Sequence, residues 1–114
     1  MEIVTVSQTD SMSHLKLVGR LDTLAVDRIE VRFNALTVAR GLDAVIDLSE
    51  LELLASMGIR MLVTAARSLG VRGRRLVLLD PRGVVDDTLR AANLYAAIPM
   101  ARTLIEAERL CAKG

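Results

Sequence analysis

Two short runs of uninterrupted apolar residues, Ala44-Val45-Ile46 and Leu76-Val77-Leu78-Leu79, constrain this chain more than anything else in it. Each closes on an acid, Asp47 in the first case and Asp80 in the second. A strand with one wet face alternates apolar and polar residues, whereas an unbroken apolar run is buried on both faces, as strands of a parallel sheet are. Parallel neighbours need a crossover connection. Between the two runs, Ile59, Leu62, Val63, Ala66 and Leu69, closed by Gly70, recur at helical spacing and supply it. The fold class that follows is α/β.

The remaining segments fit around this unit. Glu2 to Gln8 is rich in β-branched residues, and after the polar Thr9-Asp10-Ser11 the segment His14 to Val18 alternates with Leu15 and Leu17 on one face. These runs predict a hairpin or neighbouring strands, with His14 on the polar side. Gly19-Arg20-Leu21-Asp22 breaks the pattern. Asp22 is expected to cap a helix that runs to about Arg40, with Val26, Ile29, Phe33 and Leu36 as its stripe and Gly41 as its stop. Val85, Leu89 and Ala92 mark a third helix ending at Asn93. The short apolar piece Ala97-Ile98-Pro99 then precedes a last helix carrying Leu104, Ala107 and Leu110. The order β-β-α-β-α-β-α-(β)-α predicts one domain over residues 1–114, a mixed sheet of four to five strands with about four helices.

Composition narrows the functional classes. Hydrophobic residues make up 52% of the chain, yet it holds one Phe, one Tyr and no Trp, so the core is aliphatic. Single-stranded nucleic acid is bound on aromatic platforms, which this chain lacks. Fifteen basic residues against fourteen acidic ones leave +1, and such a balance gives no pull toward nucleic acid or an anionic membrane. The tightest basic cluster, Arg72, Arg74 and Arg75, reads as a solvated loop. A lone Cys111 makes neither an internal disulfide nor a cysteine metal site, and His14 has no second histidine or carboxylate at ligand spacing. No metal and no cofactor are therefore expected. The start lacks the pattern of a signal peptide and no apolar run approaches the ~20 residues of a membrane span, so the expectation is a cytoplasmic protein without membrane insertion.

In open α/β sheets, ligands and partners meet the carboxyl ends of the parallel strands. That edge is expected to gather Asp47, Ser49, Asp80 and the helix start Ala55-Ser56-Met57-Gly58. Ser56 has two readings. Its hydroxyl can cap the helix by accepting a hydrogen bond from an orphan amide. The same position also tolerates a phosphate, because a helix N-terminus favours negative charge, and phosphorylation would alter a partner surface without unfolding anything. Asp47 can fix the following loop through its amides. No nucleophile and base can be paired from these residues, so no enzymatic activity is expected.

Val45-Ile46-Asp47-Leu48-Ser49 followed by Ala55-Ser56-Met57-Gly58-Ile59 resembles the signature of STAS domains, the sulphate-transporter and anti-sigma-factor-antagonist domains, in which a strand ends in Asp-Leu-Ser and Asp-Ser-Ser-Gly opens a helix. Gly19-Arg20-Leu21-Asp22, Leu76 to Leu79 and Leu89 to Pro99 match further pieces of that pattern in order. The resemblance implies an anti-sigma factor antagonist. Such a protein binds an anti-sigma factor that is also a serine protein kinase, and phosphorylation of the first signature serine, here Ser56, releases it. A phosphatase of the PP2C type resets the switch. Glu50 to Leu54 is then the loop leading to Ser56. The partner surface that the resemblance implies holds Leu21, Asp22, Thr23, Asp47, Ser49, Ala55, Met57, Gly58, Arg60 and Met61. Ala55 replaces the family's Asp and Met57 its second Ser. That departure motivates an alternative, a non-phosphorylated STAS adaptor subunit of a larger complex such as an ABC-type lipid-transport assembly. Met61 or another exposed apolar residue could support a weak homodimer.

Overall fold

The computed structural model describes residues 1–112. Strand β1 (Glu2–Gln8) pairs antiparallel with β2 (Met12–Leu21), and Thr9 closes the turn through its hydroxyl, which accepts from the Met12 amide at 3.1 Å. Helix α1 (Thr23–Leu36) follows, then β3 (Asp43–Asp47), β4 (Leu51–Leu54) and α2 (Ser56–Val71). The chain continues through β5 (Leu76–Leu79), α3 (Gly83–Ala91), a short 3-10 turn at Leu94–Ala96, β6 (Met100–Ala101) and α4 (Leu104–Ala112). The sheet runs β1-β2-β3-β5-β6, with every pairing after the first hairpin parallel.

Strand β2 is the centre of the arrangement. Its first half, Met12 to Lys16, pairs with β3, and its last residues, Gly19 to Leu21, pair with β4. The expected loop from Glu50 to Leu54 is thus largely a strand, which raises the sheet from the expected four or five strands to six. A four-residue Leu-Glu-Leu-Leu is too short to show a period. What fixes it is the reach back to β2 and the burial of Leu51 and Leu54.

The two faces of the sheet are covered unequally. Leu15, Leu17, Ile46 and Leu78 pack with Phe33 of α1, Met61, Leu62 and Leu69 of α2, and Val85 and Leu89 of α3 in one continuous core. On the other face Val45, Val77 and Leu79 meet the small buried residues Ala107 and Cys111 of α4, with Ala101 beside them and the partly buried Leu110 and Met12 at the margin. Cys111 packs there as the small hydrophobe expected, and burial pushes its thiol up to about 11. His14 lies on this second face too. It is 6% exposed rather than on a polar side, because β2 is interior and covered on both sides, and its Nε2 finds no hydrogen-bond partner among the described residues.

Two boundaries differ from expectation. Helix α1 ends at Leu36 rather than near Arg40. The buried Thr37 turns its hydroxyl back onto the Phe33 carbonyl at 2.7 Å, and Ala39 reaches the Asn34 carbonyl, so the backbone leaves the helix before Gly41 takes its left-handed turn at φ 65°. The late apolar piece enters the sheet as Met100–Ala101, just after Pro99, and Pro99 contributes only its carbonyl to the Leu78 amide.

Candidate functional site

The site grows from two helix starts held side by side. The Ala55 amide donates to the Leu21 carbonyl at 2.9 Å, which clamps the exit of β4 to the exit of β2. From these paired exits α1 and α2 depart. Gly58, in the first turn of α2, lies flat on the leucines that end the two strands. A methyl group there would stand 2.8 Å from Leu54 Cδ1 and 2.9 Å from Leu21 Cγ, so this turn can approach the sheet only through glycine.

The two starts are finished differently. Asp22 Oδ1 accepts from the Ala25 amide at 2.9 Å and caps α1 as expected. The N-cap of α2 is Ala55, which has no side-chain oxygen, and Ser56 is the first helical residue rather than the cap. The capping reading of Ser56 therefore fails on position. Ser56 is exposed, and its hydroxyl forms no hydrogen bond among the described residues. Met57 is 39% exposed beside it, and Arg60 is exposed one turn further along the helix.

Asp47 does fix its loop. Its Oδ1 accepts from the Ser49 amide at 2.8 Å, while the Leu48 amide donates to the Leu79 carbonyl. Across the pairing, Lys16 lies opposite Asp47 and donates to Glu50 at 2.6 Å, a bond that raises the lysine's pKa. Asp47 and Ser49 stand before β4 and Ser56 after it, so the length of a four-residue strand, about 13 Å, lies between them.

Asp80 is engaged elsewhere. It takes a left-handed φ of 50° and pairs with Arg82 at 2.6 Å and Arg102 at 3.4 Å. Arg102 also reaches Asp86 at 3.5 Å, and Asp86 accepts from the Tyr95 hydroxyl at 2.6 Å and from Arg90 at 3.1 Å. The Tyr95 bond foremost, with help from Arg90, holds Asp86 below the usual carboxylate range. Burial and the same bond push the Tyr95 phenol upward. This network laces the end of β5 to α3 and to the residue after β6.

Of the residues expected to form a partner surface, Leu21 meets Ala55 and Gly58, with Asp22 and Thr23 following it at the start of α1 and Ser56 and Met57 at the start of α2. Leu21 and Gly58, however, are buried and shape the site from beneath. Met61 is 2% exposed and belongs to the core, so it offers no surface to a partner or a second copy. The buried arc of α2 runs through Gly58, Met61, Leu62, Ala65 and Leu69, which rotates Ile59, Val63 and Ala66 to its margin. One surface residue went unread: Leu24, 68% exposed in the first turn of α1. Its signal is an apolar residue two positions ahead of Val26, off the helix stripe. Among the described residues, no cluster of His, Cys, Asp and Glu could hold a metal ion, and no helix is long and apolar enough to cross a membrane.

Comparison with known proteins bears on these features. A family model for the STAS domain matches residues 4–107. Among solved structures, an anti-sigma factor antagonist from Mycobacterium paratuberculosis superposes with a TM-score of 0.82 at 25% identity, over 97% of this chain and 95% of that one. A Thermotoga maritima protein gives 0.84 at 18% identity, over 93% and 92%. The Bacillus cell fate determinant SpoIIAA in its phosphorylated form gives 0.70 at 19% identity, over 96% and 99%. No curated protein gives a significant match.

Proposed function

The chain belongs to the STAS-domain family, and from that premise we propose that it is an anti-sigma factor antagonist working by partner switching. Unphosphorylated, it binds an anti-sigma factor that is also a serine protein kinase. Phosphorylation of Ser56 releases it, and a PP2C-type phosphatase restores the binding form. The protein acts in the cytoplasm by binding rather than catalysis, without a cofactor. The observation that carries the reading is the state of Ser56: an exposed hydroxyl, free of internal hydrogen bonds, on the first residue of a helix whose cap is an alanine. Because this hydroxyl has no structural duty, its modification costs the fold nothing. The added charge falls where the helix amides favour it.

The partner surface in this reading is what lies around Ser56. Thr23, Met57 and Arg60 are exposed, Asp22 and Ala55 are half-buried, and Leu24 adds apolar area. Asp47 and Ser49 contribute from the far end of β4. Structures related in fold include SpoIIAA in both its unphosphorylated and its phosphorylated form, which gives the phosphoacceptor reading a precedent in that protein. The test is twofold. Intact-mass spectrometry of the protein from its own cells, before and after phosphatase treatment, is expected to reveal one removable phosphate on Ser56. Ser56→Ala is expected to bind the kinase-type partner and Ser56→Glu to lose it; equal binding by both would end the switch reading.

A second reading follows from Ala55 and Met57, which take the places of the acid and the second serine in the signature. A fixed STAS adaptor in an ABC-type lipid-transport assembly needs no phosphoacceptor. Absence of phosphate under growth and stress alike, with an ABC-type ATPase co-purifying, would select it.

A further inference from the structure

Resting on Ser56 as the phosphoacceptor, we infer that Arg60 is the residue that receives the phosphate. Once Ser56 is phosphorylated, the Arg60 guanidinium closes onto it across one turn of α2. The switch then withdraws a free cation from the partner surface as well as adding negative charge to it.

The inference comes from the register of α2. Ser56 and Arg60 are four residues apart on one helix, a spacing that leaves their Cβ atoms about 5–6 Å apart. Side chains on a helix lean toward its N-terminus, so the arginine runs back over the turn that carries Ser56. An anion placed N-terminal to a cation at this spacing is the more favourable of the two orientations. Arg60 is also uncommitted. Helix α2, read as Ser-Met-Gly-Ile-Arg-Met-Leu-Val-Thr-Ala-Ala-Arg-Ser-Leu-Gly-Val, contains no Asp or Glu. Arg60 is exposed and makes no ion pair among the described residues, whereas Arg82, Arg90 and Arg102 are all held by carboxylates around α3. A phosphate at Ser56 would be the first anion within this helix that Arg60 can reach.

The pairing changes what phosphorylation presents. A phosphoserine carries about −1.5 to −2 near neutral pH, and a guanidinium grips its oxygens with two parallel bonds. Before modification the surface offers an exposed cation that suits a carboxylate on the partner. Afterwards it offers a closed pair of net negative charge, so the partner loses an ion pair and meets a repulsive group in one step.

The experiment places phosphoserine at position 56 by genetic encoding, so that no kinase is required. Phosphorus NMR then follows the second ionisation of the phosphate, whose ordinary value is about 6. Arg60 stabilises the dianion, so the midpoint in the otherwise unchanged chain is expected to lie below that of Arg60→Gln by roughly 0.15–0.4 unit, with Arg60→Lys between. Arg67→Gln, about two turns further on, keeps the parent value. Circular dichroism verifies that the exposed-site variants fold alike. Equal midpoints in the parent and Arg60→Gln overturn the inference. So does a shift produced by Arg20→Gln alone, since Arg20 next to Leu21 is the nearest competing cation on β2. The phosphoacceptor reading falls separately: a native protein without phosphate at Ser56 ends both that reading and the switch role of Arg60, whatever the titration gives.

Discussion

The first turns of α1 and α2 leave the sheet from adjacent strand ends, yet they are built on opposite principles. At α1 the sequence supplies an acid, Asp22, which satisfies an orphan amide and holds the helix start shut. At α2 it supplies Ala55 and an exposed serine, and the first turn contains no acid. Helix starts are ordinarily stabilised by a cap, and an alanine forgoes about 1 kcal/mol of that stabilisation. The second start is instead held by its backbone, through Ala55 to Leu21, and by the fit of Gly58 against two leucines. One start is finished by its side chain; the other leaves its serine exposed and unbonded among the described residues.

The largest test of this contrast is Gly58→Ala. Helix propensity gains about 1 kcal/mol from the change, but overpacking against Leu21 and Leu54 costs about 1–3. The expected outcome is a net loss of up to about 2 kcal/mol by urea denaturation, with the start of α2 displaced from the sheet. A gain of about 1 kcal/mol, the full propensity effect, would mean that packing does not hold this start. Asp22→Ala is expected to cost about 1 kcal/mol in the same assay. Ala55→Asp should move the other way, gaining about 0.5–1 kcal/mol by giving α2 the cap it lacks. If Ala55→Asp is silent, the backbone clamp already satisfies what a cap would.

The smallest expected effect comes from acid, and it should spare both helix starts. Burial lowers the pKa of His14 from its ordinary 6.5, against the upward pull of Asp47 and Glu108, with Lys16 adding to the downward shift. The unfolded chain therefore binds a proton more readily than the folded one as pH falls through 6.5. Stability is full above that value and declines below it. Hydrogen exchange on acidification is expected to rise in α4 and the adjoining part of β2, and not in the first turns of α1 and α2. His14→Leu is expected to flatten the stability profile between neutrality and mild acid; an unchanged slope would remove His14 as its origin.

Much of this architecture could be read from residues. The unbroken runs became β3 and β5, Asp22 became a cap, and Asp47 fixed its loop, because each depends on neighbours close in the chain. What escaped depends on distance. Strand β4 exists because Leu51 to Leu54 reach back some thirty residues to Gly19 and Leu21, and nothing within four residues announces that. His14 reads as polar in a local alternation, and only the packing of α4 on the second face of the sheet, where His14 lies beside Val45, makes it interior. Met61 lies between apolar positions whose helical phase admits two arcs, and the sheet selects the one that buries it. At the site, the position of Ser56 at the helix start was legible. That Ala55 takes the cap, leaving the serine unbonded, required the backbone.

The division of β2 between two partners also orders events in time. Its pairing with β1 closes over a three-residue turn, whereas its pairing with β4 must wait until the residues from Asp22 to Glu50 have been arranged between them. Sequence-distant pairings of this kind form slowly, because the loop entropy is lost before any contact repays it. The amide clamp from Ala55 to Leu21, and with it the geometry around Ser56, belongs to the late-formed part. On the proposed reading, recognition of Ser56 in this setting would depend on a completed fold and not on a linear stretch of sequence.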